Sequence, residues 1–164
     1  MLKLTKKADY GLIALKHLAL RSDHGSASAK DIADCYGIPQ PLLAKILQKL
    51  ARHGFLLSQH GTRGGYALAR DPGTITALDV IRLIDGPVLL TACVTPRGEC
   101  NLTEKCTVRA PLRRVHDSIQ ALLSSITISE LSRDDARGEP GCPPGVPPFR
   151  PEAGRALNVL REIR

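Results

Sequence analysis

The sequence predicts a mainly α-helical fold with one small β-hairpin, and three observations lead to this prediction. Aromatic residues make up only 3% of the 164 residues and Trp is absent, so the core must be built from aliphatic side chains, which favours helices over a sheet-rich fold. Apolar residues recur at helical spacing in several segments. Two short strand candidates flank a single glycine-rich turn, which predicts one hairpin.

The first 53 residues predict three helices. Residues 5–21 place Ala8, Leu12, Leu15 and Ala19 at helical spacing. Ser28-Ala-Lys-Asp31 resembles a capping box and opens a short helix that reaches about Asp34. After Gly37 and Pro39, residues 41–53 place apolar residues on one face and polar ones on the other. The apolar set is Leu43, Ile46, Leu47 and Leu50, and the polar set is Lys45, Gln48, Lys49 and Arg52.

A hairpin follows these helices. The strand candidates Phe55–Gln59 and Tyr66–Ala69 flank a tip that contains His60 and Arg63. Three helices followed by a hairpin is the order of a winged helix-turn-helix, whose third helix enters the DNA major groove while the wing contacts the flanking backbone or minor groove. The alternative is an ordinary small α+β domain with a solvated polar face.

The distribution of charge favours DNA binding. Residues 1–70 hold 11 Lys and Arg against 4 Asp and Glu, whereas residues 71–164 hold 12 of each, so the whole net charge of +7 lies in the first segment. A one-sided basic domain is typical of nucleic-acid binding. We expect Gln40 and its neighbours to read bases, and Lys45, Lys49 and Arg63 to hold phosphates of a double-stranded operator. The full set of candidate DNA ligands is Ser28, Lys30, Gln40, Pro41, Lys45, Lys49 and Arg63.

The second half of the chain predicts a helix at Thr76–Asp85 and a longer one that starts at Thr107 or later, because Pro111 is acceptable only in a first turn. The longer helix carries an a/d seam with spacing 4-3-4-3-4, which favours pairing with a second copy of the chain. The seam residues are Val108, Leu112, Val115, Ile119, Leu122 and Ile126.

The predicted organisation has three parts. Residues 1–70 form the winged helix-turn-helix, residues 71–132 hold a cysteine loop and the dimerisation helix, and residues 133–164 form a flexible tail rich in Pro and Gly. No apolar run approaches the roughly 20 residues that span a bilayer, and no secretory signal is evident. An odd number of cysteines fits poorly with a disulfide framework, so we expect a cytoplasmic protein.

Three of the five cysteines, Cys93, Cys100 and Cys106, lie in one polar stretch with six and five residues between them. Structural zinc sites more often use pairs two to four residues apart, whereas a wider spacing suits an iron–sulfur cluster. Zinc, redox-active thiols and incidental thiols remain alternatives. Cationic residues nearby, Arg97, Lys105 and Arg109, would offset thiolate charge. Cys35 and Cys142 are expected to be a packed side chain and a free thiol, respectively.

Four segments resemble the IscR/NsrR family of Rrf-type winged-helix regulators. They are LTKKADYGLIAL, PQPLLAKILQKL, GTRGGYALAR and the three-cysteine loop before the long helix. The resemblance covers residues 1–132 in order. It implies a homodimer that senses its surroundings through a 2Fe–2S or 4Fe–4S cluster. It also implies target genes in iron–sulfur assembly, iron supply, or nitric-oxide and oxidative stress.

The resemblance also bears on the fourth cluster ligand. IscR-like members carry a His three residues after the third cysteine, where this chain has Arg109. NsrR-like members use an Asp of the first helix, contributed by the partner subunit, and Asp9 in Asp9-Tyr10-Gly11 matches that placement. A solvated carboxylate at a helix N-terminus is the alternative for Asp9. His116 is a reserve candidate.

The predicted function is therefore that of a dimeric, cluster-sensing transcription regulator and repressor. A regulator with a structural zinc, one with redox-sensing thiols, and a winged-helix repressor with incidental cysteines remain alternatives. A redox enzyme is disfavoured because no Cys-x-x-Cys pair, Gly-rich phosphate loop or Ser-His-Asp arrangement is evident.

Overall fold

The computed structural model describes residues 4–21, 25–61, 64–91 and 105–134. Within these residues the order of elements agrees with the predicted winged helix-turn-helix followed by a long helix. The elements are α1 (Lys6–Leu20), α2 (Ala29–Tyr36), α3 (Gln40–Arg52), β1 (Leu56–Gln59), β2 (Gly65–Leu68), α4 (Ala77–Asp85), α5 (Arg109–Ser125) and α6 (Ile128–Asp134).

Local capping interactions set where several of these helices begin. The predicted capping box of α2 is present: the Asp31 backbone N–H donates to Ser28 Oγ over 3.1 Å, and the Ser28 N–H donates back to the Asp31 carboxylate. Thr76 and Asp79 form the same box at α4. Gly37 ends α2 in the left-handed conformation, with φ of 65°. These short-range signals explain why the predicted helix bounds agree with the observed ones.

The hairpin is fixed against the start of α2. Strands β1 and β2 are antiparallel, and Ala27, just before α2, pairs with Tyr66 of β2 through N–H···O bonds of 3.0 and 2.8 Å. The backbones approach so closely there that a Cβ at Gly65 would lie 2.5 Å from the Ala27 carbonyl oxygen. Glycine is therefore required at this point of the Gly-Gly-Tyr sequence. As a result, the wing and the helix-turn-helix form one unit.

The main core joins the first 70 residues to later ones. Its fully buried members come from α1 to α3 and also from the segment around α4 and from α6; they are Leu15, Ile32, Leu43, Leu47, Leu50, Ile75, Val80 and Ile128. Helix α6 was not predicted from the sequence. The chain enters it through backbone bonds that pair Ile128 with Ile75 and Ala77 with Ile126. Residues 133 and 134, at the start of the predicted tail, belong to α6, and residues 135–164 lie outside the described part of the chain.

Helix α5 agrees with the predicted long helix, and Pro111 lies in its first turn. Three residues of the apolar seam, Val108, Val115 and Leu122, are 54%, 47% and 62% exposed, so the described part of the chain leaves them largely uncovered. In the described ranges, no helix has the length and apolar character that crossing a lipid bilayer requires.

Candidate nucleic-acid interface and cysteine site

The outer face of α3 is basic and exposed. Four apolar residues bury the opposite face, and the outward positions Pro41, Lys45, Gln48 and Arg52 are all exposed. The helix contains no Asp or Glu, so no neighbouring carboxylate along it offsets these cations. A basic, solvent-facing helix on a buried scaffold is suited to contact phosphates and base edges.

The predicted ligands at the N-terminal side of this face lie in different surroundings. Gln40 is exposed at the first position of α3, and Lys30 is exposed in the first turn of α2. Ser28 is half-buried, and its hydroxyl donates to the Asp31 carboxylate over 2.7 Å while capping α2. Its side chain therefore primarily stabilises the helix start, whereas Gln40 and Lys30 present free polar groups to solvent.

Lys49 differs from the other cations of α3. It lies on the flank of the helix rather than on its outer face, it is half-buried, and its Nζ donates to the Ile84 carbonyl of α4 over 3.3 Å. The sequence placed Lys49 with the phosphate ligands because its spacing from Lys45 and Arg52 is helical. The position of α4, 35 residues further along the chain, was not evident from that spacing.

Arg70 connects the wing to the end of α3, a contact that sequence reasoning missed. Its Nε donates to the Gly54 carbonyl over 2.8 Å, a terminal nitrogen donates to the His53 carbonyl over 3.3 Å, and the guanidinium lies 4.9 Å from the Phe55 ring centroid. A cation at a helix C-terminus satisfies carbonyls that lack intrahelical partners. Arg70 thereby fixes the angle between the hairpin and α3. The wing-tip residue Arg63 lies outside the described residues.

The cysteine site is only partly described. Cys106 is a half-buried free thiol just before α5, between exposed Lys105 and Arg109, whereas Cys93 and Cys100 lie outside the described residues. Among the residues that the structure describes, no group of three or more His, Cys, Asp and Glu side chains is gathered as in a metal site. A sulfur donor that precedes a helix N-terminus and is flanked in sequence by two cations fits the electrostatic demands of an anionic iron–sulfur cluster. Cys35 is half-buried in α2, and Cys142 lies outside the described residues.

The two candidates for a fourth ligand also differ. Asp9 is exposed in the first turn of α1, and its carboxylate has no hydrogen-bond partner among the described residues. His116 is buried, and its Nε2 accepts from the Gln120 amide over 2.8 Å. Gln120 in turn accepts from Arg82 of α4 over 2.6 Å. His116 is therefore part of the α4–α5 packing, whereas Asp9 is accessible to a partner.

An apolar cleft is lined by the residues just before α1, by α4 and the segment that follows it, and by α5. Its volume is about 480 Å³, and its lining includes Leu4, Ile81, Val88, Ile119 and Leu122. Two of the six seam residues, Ile119 and Leu122, therefore border a concave apolar surface close to the N-terminus of α1.

Comparisons with known proteins agree with this geometry. Residues 4–134 match the Rrf2 family model, described as an iron-dependent transcriptional regulator. The transcriptional regulators IscR of Cronobacter sakazakii and of Salmonella paratyphi B are each 33% identical over 130 residues, which is 79% of this chain and 80% and 79% of theirs, respectively.

Solved structures give the same assignment. The global cysteine regulator CymR of B. subtilis superimposes with a TM-score of 0.72 at 30% identity, over 82% of this chain and 98% of that one. IscR of T. potens superimposes with a TM-score of 0.64 at 30% identity, over 85% and 94% of the two chains. The match to the family over nearly all described residues, together with the basic face of α3 and its adjoining wing, shows that this chain belongs to the Rrf2 family of DNA-binding transcriptional regulators.

Proposed function

We propose that this protein is a homodimeric regulator whose DNA binding depends on an iron–sulfur cluster, and that it represses iron–sulfur assembly genes or related stress genes in the cytoplasm. Cys93, Cys100 and Cys106 would hold the cluster, with Asp9 of the partner subunit as fourth ligand. The observation that carries the proposal is the placement of Cys106 between two cations at the start of α5. The family description as an iron-dependent regulator and the likeness to IscR relatives support the same cofactor.

The chain's own residues suggest how such a site would act. The cysteine segment joins α4, which packs on α1 and α3, to α5, which carries the exposed seam. The cluster would supply a redox- and ligand-sensitive bond network between the three thiolates. Without the cluster, the segment between α4 and α5 would no longer be held by it. Because binding at two sites is reciprocal, DNA affinity and cluster affinity would then be linked.

The DNA side of the proposal uses two copies of α3. Gln40 and Pro41 at the start of α3 would lie nearest the base edges, with Ser28 and Lys30 beside them, while Lys45 and Arg63 hold phosphates. Pairing through α5 would present both helices to a two-fold operator.

The cluster is tested first by an absorption spectrum with iron and sulfide analysis on protein purified without oxygen. We expect visible absorption that is lost in Cys100→Ala and retained in the control Cys35→Ala, since Cys35 lies on α2 outside the loop. Colourless protein with one tight zinc per chain would contradict the cluster and favour a structural metal.

Thiol-based sensing is a second candidate, favoured by the likeness to CymR, which has also been solved in an oxidised form from Staphylococcus aureus at 26% identity. In that case the protein would lack iron and zinc, and peroxide treatment would change its DNA affinity. Replacement of Cys106 by Ala would abolish that response, whereas Cys35→Ala would not.

The DNA interface is tested by salt-dependent binding. We expect Lys45→Ala and Arg63→Ala each to weaken binding and to lower the slope of log K against log salt by about one, because each removes a phosphate contact. Arg113→Ala, an exposed cation on α5, is the matched control. Unchanged slopes in both test variants would exclude this docking surface.

A further inference from the structure

Lys49 engages α4 in a way that its position on α3 alone would not suggest. The outward cations Lys45 and Arg52 are exposed, whereas Lys49 is half-buried and its Nζ lies 3.3 Å from the Ile84 carbonyl oxygen. Ile84 is in the last turn of α4, where carbonyls lack intrahelical partners and where a cation is favoured by the helix dipole. The contact therefore gives this lysine a partner within the protein.

The same turn of α4 is also held by α1. Asp85 accepts from the Thr5 backbone N–H over 3.1 Å and from the Thr5 hydroxyl, which ties it to the first turn of α1. The Ile84 side chain occupies the space that a Cβ at Gly11 would need. A Cβ at Gly11 would therefore force the Ile84 side chain to shift, which shows how closely α1 and α4 pack. The last turn of α4 is therefore clamped between α1 and α3.

This turn is also where the cysteine segment begins. Gly86 ends α4 with φ of +90°, and buried Val88 follows, with its carbonyl oxygen 3.4 Å from the Gln120 amide of α5. Cys93 follows only a few residues later in the sequence. The cysteine segment is therefore joined, within a few residues of sequence, to the turn that Lys49 holds.

We propose that Lys49 is a positioning residue that couples the cysteine segment to the DNA-reading helix, and is not a phosphate ligand. This inference rests on the proposed function, since it names the residue through which the sensing site regulates α3. When the last turn of α4 moves, the half-buried Lys49 Nζ loses its acceptor. Either α3 must then shift with that turn, or water must hydrate the Lys49 side chain in place of the Ile84 carbonyl. By reciprocity, DNA binding at α3 must in turn stabilise that turn.

The test compares Lys49→Met with Lys45→Met in the full-length protein, with a DNA duplex selected from a random pool by the wild type. We expect Lys45→Met to lower the salt slope by about one and Lys49→Met to leave it unchanged. We expect the wild type purified without oxygen and its Cys106→Ala variant, which both keep Lys49, to differ in DNA affinity. When Lys49→Met is introduced into both proteins, the ratio of their DNA affinities should come to within about twofold of one. Lys49→Arg retains a donor and should restore most of the difference.

Hydrogen exchange separates this inference from the cluster itself. In the wild type we expect DNA binding to slow amide exchange in residues 84–91, and we expect Lys49→Met to remove that protection. Equal DNA affinities for the wild type purified without oxygen and for its Cys106→Ala variant would overturn the cluster proposal. Loss of the protection of residues 84–91 in Lys49→Met would then still show that Lys49 links α3 to the last turn of α4. A salt slope that falls in Lys49→Met as it does in Lys45→Met, or protection that persists in Lys49→Met, would overturn the coupling.

Discussion

His17, in the last turn of α1, is only 3% exposed and contacts α2 through Tyr36. Its Nδ1 lies 3.2 Å from the Tyr36 hydroxyl, and the two rings meet edge to face at 5.6 Å. Its Nε2 has no hydrogen-bond partner among the described residues. Burial lowers the pKa of His17, Arg21 lowers it further, and Asp31 of α2 opposes them. The folded protein therefore favours the neutral ring.

The lowered pKa predicts a loss of stability in acid. Because the unfolded chain binds the proton at the ordinary pKa of about 6.5 and the folded one only below it, the His17 contribution is complete above pH 6.5 and is lost as the pH falls. Between pH 7.5 and pH 5 we expect the melting temperature of His17→Phe to fall by less than that of the wild type. His60→Gln, at an exposed position, should follow the wild type. Parallel curves for wild type and His17→Phe would contradict this.

At the scale of elements, helices α1 to α5 could be predicted because their signals are local. Caps, a left-handed glycine and apolar periodicity all lie within a few residues of the helix they define. Helix α6 was missed although Thr127-Ile-Ser-Glu130 is a capping box: Glu130 N–H donates to Thr127 Oγ1 over 3.2 Å, and Thr127 N–H donates to the Glu130 carboxylate over 2.8 Å. Only seven residues long, α6 depends on tertiary contacts such as the full burial of Ile128.

The candidate site, like the helices, was predictable where its signals are local in sequence and not where they depend on tertiary contacts. Periodicity identified the polar positions of α3, but it could not predict the contact of Lys49 with Ile84, because that acceptor comes from a distant helix. Arg70 was missed for the same reason, since its partners lie 16 and 17 residues earlier in the chain.

The capping box of α6 gives a prediction at this scale. We expect Thr127→Ala to lower the free energy of unfolding by about 1 kcal/mol, because the Glu130 N–H loses its acceptor at the helix start. Ser129→Ala is the matched control in the same helix, because Ser129 donates to the Pro72 carbonyl through its backbone N–H, which the substitution keeps. Urea titrations of the three proteins measure the difference. Equal losses in both variants would show that the cap is not what stabilises α6.

For the whole molecule, the exposed seam of α5 is the main unsatisfied surface among the described residues. Val108, Val115 and Leu122 stay about half exposed or more, and Leu122 also borders the apolar cleft that reaches Leu4 and Val88. An apolar stripe that adjoins a concave apolar surface is typical of a subunit interface. The proposed dimer would cover both with a second copy of the chain.

Leu122→Glu tests that dimer, because it would bury a charge on the seam. We expect the variant to sediment as a monomer and to lose affinity for a two-fold DNA site, while its weak affinity for a single half-site is retained, since α3 lies elsewhere in the fold. Ser124→Glu adds the same charge at an exposed position off the seam and should leave the wild-type mass and affinity unchanged. If Leu122→Glu kept the mass of a dimer, α5 would not be the interface, and the half-site geometry inferred for α3 would have to come from another surface.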